Sequence, residues 1–407
     1  QQTKKQYKSD TVVKRKIIVS GTGCCLVDLL FNNIDFSSDQ ILDFLSKERG
    51  DGGLSPGKLV FQEEFEKFSG KPLVSVLDTL TGGRKPDKIN IGGPSIVSLI
   101  HLAQVTGREK CEVRFHGSRG KDDIGEYLLT ALKRTPVVLK DYRITERRTP
   151  STVVLSDPQY DRGHGERMFI NSIGAAWDYG PDDLDSEFFG SDIVVFGGTA
   201  LMPKIHDRLA GLLKKAKSAG AVTVVNTVFD FRNEKRDPSG RWPLGESDES
   251  YSHTDVLITD MEEALRLSGK HDIESAAEFF IKKKVSSFII TNGSGNITLY
   301  SDGRFFRPSE MAEMPVSQRI ILEIKDVREG DTTGCGDNFA GGIIASVVEQ
   351  MHDGIRHPDL REACSWGIVS GGYTCFYMGG TWFEERAGEK LERIRPYYES
   401  YREQTGH

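Results

Sequence analysis

The chain has no excess of positive charge. Its 53 Lys and Arg are outnumbered by 60 Asp and Glu, for a net charge of −7. Binding to a nucleic-acid backbone wants a basic face, so that partner is set aside. No apolar run approaches the roughly 18 residues a membrane-spanning helix needs, and no membrane partner is expected. The six cysteines form no Cys-x-x-Cys and no zinc-finger spacing, which excludes a structural zinc site. Several lie in apolar runs, where Cys packs as a small hydrophobe. That usage fits a reducing compartment, and a cytoplasmic location is the expectation. There is no His-Glu-x-x-His, no internal repeat and no Gly-x-x-x-x-Gly-Lys-Ser/Thr loop. A nucleotide, if bound, is therefore not held in a P-loop. Gly21-Thr-Gly-Cys-Cys-Leu26 begins like a dinucleotide loop, but Leu26 stands where the third Gly belongs.

What is present is concentrated in Asp331-Thr-Thr-Gly-Cys-Gly-Asp-Asn-Phe-Ala-Gly-Gly342. The Gly334-Cys335-Gly336 turn leaves unhindered backbone N–H groups. A helix follows at once, with Phe339, Ile343, Val347 and Met351 on one stripe and Gly354 as its stop. N–H groups at the positive end of a helix make an anion site. Asp337 lies in the first turn, and a carboxylate beside an anion site is costly unless it has a task. Taking a proton from a hydroxyl that attacks the anion is such a task. A cradle and an adjacent base are the parts of phosphoryl transfer to an alcohol. An Asp of ordinary acidity is ionised at neutral pH and serves as it stands.

The remaining pattern is α/β. Short apolar runs at 16–20, 112–115, 193–196, 222–226, 256–259, 288–291 and 297–300 alternate with helical stretches at 203–219, 273–285 and 360–377. That alternation predicts a doubly wound, mostly parallel sheet flanked by helices. Two polar stretches interrupt it, at about 32–90, with a short helix at 40–46, and at about 141–177. The basic start, 1–15, reads as a solvated arm.

The 331–342 stretch resembles the second signature of the ribokinase-like carbohydrate kinases, the phosphofructokinase-B type, with Cys335 in place of the usual Ala or Ser. Adenosine-kinase-like members are similar in the length of the first excursion. The resemblance implies one kinase domain over 16–407, with a small β-sheet lid built from the two excursions. It implies ATP as co-substrate, Mg2+, and transfer of the γ-phosphoryl group to a hydroxyl of a sugar. A nucleoside acceptor is the alternative, and a non-catalytic sugar- or nucleotide-binding regulator is a further one. Aromatic side chains at the acceptor would favour a nucleoside, with Phe31, Phe36 and Phe61 as candidates.

The family pattern implies roles residue by residue. Asp337 is the base, with the N–H groups of Gly334, Cys335 and Gly336 as the anion hole. Asp28 holds acceptor hydroxyls, beside the Gly92-Gly93 turn, Asn90 and Asn171. Asn90-Ile-Gly-Gly-Pro-Ser-Ile-Val97 resembles the first signature, but Val97 replaces an acceptor-binding Asn. Asn226, Thr291 and Gly293 face the nucleotide. Asp260 and Glu263 organise magnesium through water, although Asp-x-x-Glu before a helix is also a capping box. Asp331 and Thr333, with Gly379-Gly380, match a monovalent-cation site, which makes K+ a candidate cofactor. A homodimer through the lid is the expected assembly, since an exposed sheet edge invites a partner.

Overall fold

In the strand Ile193–Gly197, Ile193 and Val195 join one apolar core, while Val194 and Phe196 join another. The strands Val256–Asp260 and Ser287–Thr291 divide their residues in the same way. A strand buried on both faces has no polar side, which is why these runs read as continuously apolar. In this computed structural model, which describes residues 14–48, 50–163, 165–327 and 332–406, the large sheet has nine strands among the described residues. Their order is Ser309–Met314, Ile297–Ser301, Ser287–Thr291, Val256–Asp260, Val222–Asn226, Ile193–Gly197, Ile17–Gly23, Cys111–Gly120 and Val138–Thr145. All pairings are parallel except the two made by Ile297–Ser301. The first strand lies between Ile193–Gly197 and Cys111–Gly120, so the winding reverses beside it. Ligands of open α/β sheets bind at the carboxyl ends of strands near such a reversal.

One core lies under the helices Pro94–Thr106, Cys335–His352 and Leu360–Thr374, and the other under Leu209–Ser218, Met261–Ser268 and Ile273–Lys282. A second, five-stranded sheet has the order Leu59–Phe61, Glu166–Ser172, Ser151–Asp157, Leu26–Phe31, Lys88–Gly92. Its own core includes Phe31, Phe36, Phe44 and Phe65, covered by the helices Gln62–Ser69 and Leu73–Thr81.

Several elements differ from the sequence-based expectation. The helix expected over 203–219 is two, Pro203–His206 and Leu209–Ser218. Asp207 and Arg208 leave helical geometry between them, and Asp207 pairs with Arg232. The helix from Ile273 ends at Lys282, and Lys284 turns at φ +61°. The one from Leu360 ends at Thr374. The short helix expected at 40–46 is Asp39–Leu42. Residues 1–13 of the expected arm lie outside the described residues, and its last residue, Arg15, is paired with Asp192.

Candidate active site

The helix Cys335–His352 starts from Gly334, which sits at φ +75°. Any side chain there would be strained, and a Cβ would lie 2.4 Å from the Gly380 Cα. The turn is thus tight because two glycines meet, Gly334 from the helix start and Gly380 from the loop after Leu360–Thr374. First-turn N–H groups have no acceptor within their own helix. Of the three donors expected from sequence, Cys335 N–H reaches back to the Thr332 carbonyl at 3.3 Å. Gly334 lines the cleft, and a Cβ on Gly336 would meet nothing.

Asp337 is half-buried in that same first turn. It lines a cleft whose walls come partly from the small sheet and partly from Val97, Leu201 and Phe231 of the large domain. Burial pushes its carboxyl up to about 6. The ordinary acidity expected from sequence is therefore corrected: the surroundings move this group toward the range of a neutral-pH base.

Across the cleft stands Asp28 on Leu26–Phe31. Neighbouring strands place Asn90 and Thr152 opposite it. A Cβ on Gly92 would come within 2.7 Å of the Asp28 carboxylate, and one on Gly93 within 2.1 Å of the Cys24 carbonyl. Gly93 also needs φ +112°. Both glycines line the cleft and let the chain pass close to Asp28. Asn171 is buried on the same wall and donates to the Thr152 hydroxyl at 3.0 Å. Asn90 lies apart from the lining, its amide against Gly379. Thr333 is half-buried in the lining, and its companion Asp331 lies outside the described residues.

A second group forms at the carboxyl ends of three adjacent strands. Asn226 ends Val222–Asn226, Asp260 ends Val256–Asp260, and Thr291 ends Ser287–Thr291 in register with Asp260. Asn226 is buried, and its Nδ2 has no partner. Asp260 and Glu263 do form the capping box: Glu263 N–H donates to Asp260 Oδ1 at 2.8 Å, and Asp260 N–H to Glu263 Oε2 at 3.4 Å. Glu263 also accepts from the Thr227 and Thr259 hydroxyls. Its carboxyl is pushed up to about 8, first by burial and then by the charge of Asp260, with Asp337 adding to the field. Gly293 turns at φ +54° in an exposed loop beyond Thr291. Among the described residues no three His, Cys, Asp or Glu converge into a metal-binding set.

Three features of the site carry no sequence signal of their own. Asn338, next to Asp337, donates to the carbonyls of Gly334 at 2.9 Å and Gly380 at 2.8 Å, tying the two loops together. Its own oxygen accepts from Lys390 Nζ at 3.0 Å, and Lys390 is fully buried. Phe231 lines the cleft with Leu59 and Leu201, and Phe61 packs edge-on against it at 6.4 Å. Phe31 and Phe36, named from sequence as acceptor aromatics, are buried in the core of the small sheet. Val97 is buried at the cleft wall, and a Cβ on Gly380 would come within 3.0 Å of it.

The family model described as pfkB family carbohydrate kinase matches residues 88–383. Fructokinase from Solanum tuberosum is 26% identical over 263 residues, covering 63% of this chain and 73% of that one. A probable fructokinase-4 from Arabidopsis thaliana is 26% identical over 333 residues, covering 76% and 90%. Among solved structures, adenosine kinase from Sinorhizobium meliloti superposes with a TM-score of 0.65 at 18% identity, covering 94% of this chain and 100% of that one. Ribokinase from Thermotoga maritima superposes at 0.61 with 17% identity, covering 93% and 99%. At these identities the structural likeness speaks to the fold.

Proposed function

The chain belongs to the pfkB family of carbohydrate kinases, and from that premise we propose how its cleft transfers the γ-phosphoryl group of ATP to an alcohol. Asp28, with Asn171 and Thr152 behind it, holds hydroxyls of a sugar. The reacting hydroxyl lies against Asp337, which takes its proton as oxygen attacks phosphorus. N–H groups of the turn at Gly334 and Gly336 face the charge that builds on the phosphoryl oxygens. Cys335 contributes by shaping the turn. The observation that carries this reading is the shared cleft: Asp337, Gly334 and Asp28 line one cavity, with the acceptor wall on one side and a helix start on the other.

Asn226, Asp260, Thr291 and Gly293 are assigned to the nucleotide side. The unpartnered amide of Asn226 and the raised carboxyls of Glu263 and Asp260 fit a site that receives phosphate with a divalent cation. Mg2+ bound there with ATP would supply positive charge between phosphate oxygens and these carboxylates, through water. Glu263 and Asp260 would hold that hydrated ion. Thr333 and the Gly379-Gly380 loop would take a monovalent cation such as K+. Closure of the small sheet over the cleft would exclude water, and its edge strands would pair in a homodimer. A cytoplasmic enzyme is the setting these thiols suit.

Phe231 supports a second reading, a nucleoside acceptor, since a base stacks on an aromatic ring and a bare sugar does not. The test is ADP release from Mg-ATP with separate pools of free sugars, sugar acids, sugar phosphates and nucleosides, with Asp337→Asn as blank. A signal from one pool that the variant lacks identifies the acceptor class. Silence from every pool, with ATP still bound by calorimetry, would favour a binding regulator.

A further inference from the structure

Cys335 opens the helix behind the anion turn, and Cys375 follows the helix Leu360–Thr374. Their Sγ atoms lie 3.2 Å apart, forty residues distant in the chain. Both side chains are half-buried, and neither is in a disulfide. The other four cysteines are buried. Burial pushes the Cys25 and Cys111 thiols up to about 12, and those of Cys24 and Cys364 further, which keeps all four protonated and inert. Only the 335/375 pair, then, combines contact between two thiols with partial access to solvent.

We propose that Cys335 and Cys375 are a thiol modification site built into the anion turn, closed to an intramolecular disulfide by a low-molecular-weight disulfide. The chemistry balances in two exchanges. The Cys335 thiolate attacks one sulfur of the reagent, forming a mixed disulfide and expelling one reagent thiolate. The Cys375 thiolate then attacks the Cys335 sulfur, forming the Cys335–Cys375 bond and expelling the second. The two protein protons end on the two reagent thiols, and the reagent gains two electrons.

Closing the bond shortens the sulfur separation from 3.2 Å to about 2.05 Å. Around Gly334 the turn has little slack to absorb that. Gly334 already touches Gly380, and a Cβ on Gly371 would lie 2.9 Å from the Cys335 carbonyl. The movement therefore passes into the N–H groups at Gly334 and Gly336, and a shift of about 1 Å at such donors can cost about 100-fold in rate. This consequence rests on the kinase reading of the turn given above.

The experiment treats the whole kinase, purified reduced, with oxidised glutathione, removes the reagent, and reads both a non-reducing peptide mass map and ADP formation. The expected result is a 335–375 cross-linked peptide, at least a tenfold fall in turnover, and recovery with dithiothreitol. Cys375→Ser, with Cys375→Ala as a second variant, should keep its turnover when reduced and stop at a glutathione adduct on Cys335. No cross-link in an enzyme with full reduced turnover would overturn the thiol site alone. A cross-link with unchanged turnover would overturn its effect on the turn. A reduced enzyme silent toward every acceptor would instead sink the kinase reading, and the switch with it.

Discussion

The ammonium of Lys390 donates to the amide oxygen of Asn338 at 3.0 Å, from a fully buried position. Through that one contact the C-terminal helix Glu389–Thr405 sets the orientation of the Asn338 amide, which in turn clamps the Gly334 and Gly380 carbonyls. Burial pushes the ammonium down to about 7, against the opposing charge of Glu384. Lys390 is a positioning residue for the turn.

Lys390→Met should lower kcat about tenfold while the KM for ATP stays within about threefold, because the donors are displaced and the binding groups are not. A merely structural lysine would alter both together or neither. Its stability signature is separate. A lysine whose folded value lies near 7 is less protonated in the folded state than in the unfolded state between about 7 and 10.4. Wild-type stability relative to Lys390→Met should therefore rise with pH across that window. Paired denaturant titrations at pH 7 and 9 read the difference.

Asp337 makes an opposite linkage. Its folded value of about 6 lies above the ordinary value near 3.9, so ionising it costs stability that is lost as pH rises from about 4 through 6. Asp337→Asn should be more stable than wild type at pH 7, by at most about 3 kcal/mol, and equal to it near pH 4. Thermal melts at the two pH values test this. In wild type, kcat/KM should fall on the acid side with a midpoint near 6 in the free enzyme.

The fold was legible because strands buried on both faces announce themselves as apolar runs, as at Ile193–Phe196 and Phe288–Ile290. The glycine turn and the helix behind it were legible because glycines, carboxylate and the start of an apolar stripe follow one another directly from Gly334 to Phe339. The small sheet's helices Gln62–Ser69 and Leu73–Thr81 were not, because they cover a small core and expose most of their polar face. Lys390 and Phe231 were invisible for a different reason. Each reaches the site from an element with no motif, and a lysine or a phenylalanine in such a setting reads as surface or core. Asp337's altered acidity also needed three dimensions, since burial causes it and burial is not written locally.

Gly334→Ala tests the tightness of the turn. The new methyl group meets the Gly380 backbone at 2.4 Å and the φ of +75° is strained for alanine. Turnover should drop about 100-fold with the acceptor KM little changed. Retained turnover would mean that the turn's close packing is irrelevant to rate.

Phe231→Ala separates the two acceptor readings. For a nucleoside, loss of a stacked ring should raise KM about 2- to 12-fold, and for a free sugar by less than about twofold. Steady-state kinetics with both acceptor classes decide it.

The most direct test of the central claim is steady-state ADP formation by wild type and Asp337→Asn, at saturating Mg-ATP and acceptor, with ATP affinity measured by calorimetry on both. The expected result is a loss of roughly 10²–10⁴-fold in kcat with ATP affinity within about threefold. Unchanged turnover in the variant would contradict it, and Asp337 would then be only an acidic residue in the first turn of its helix.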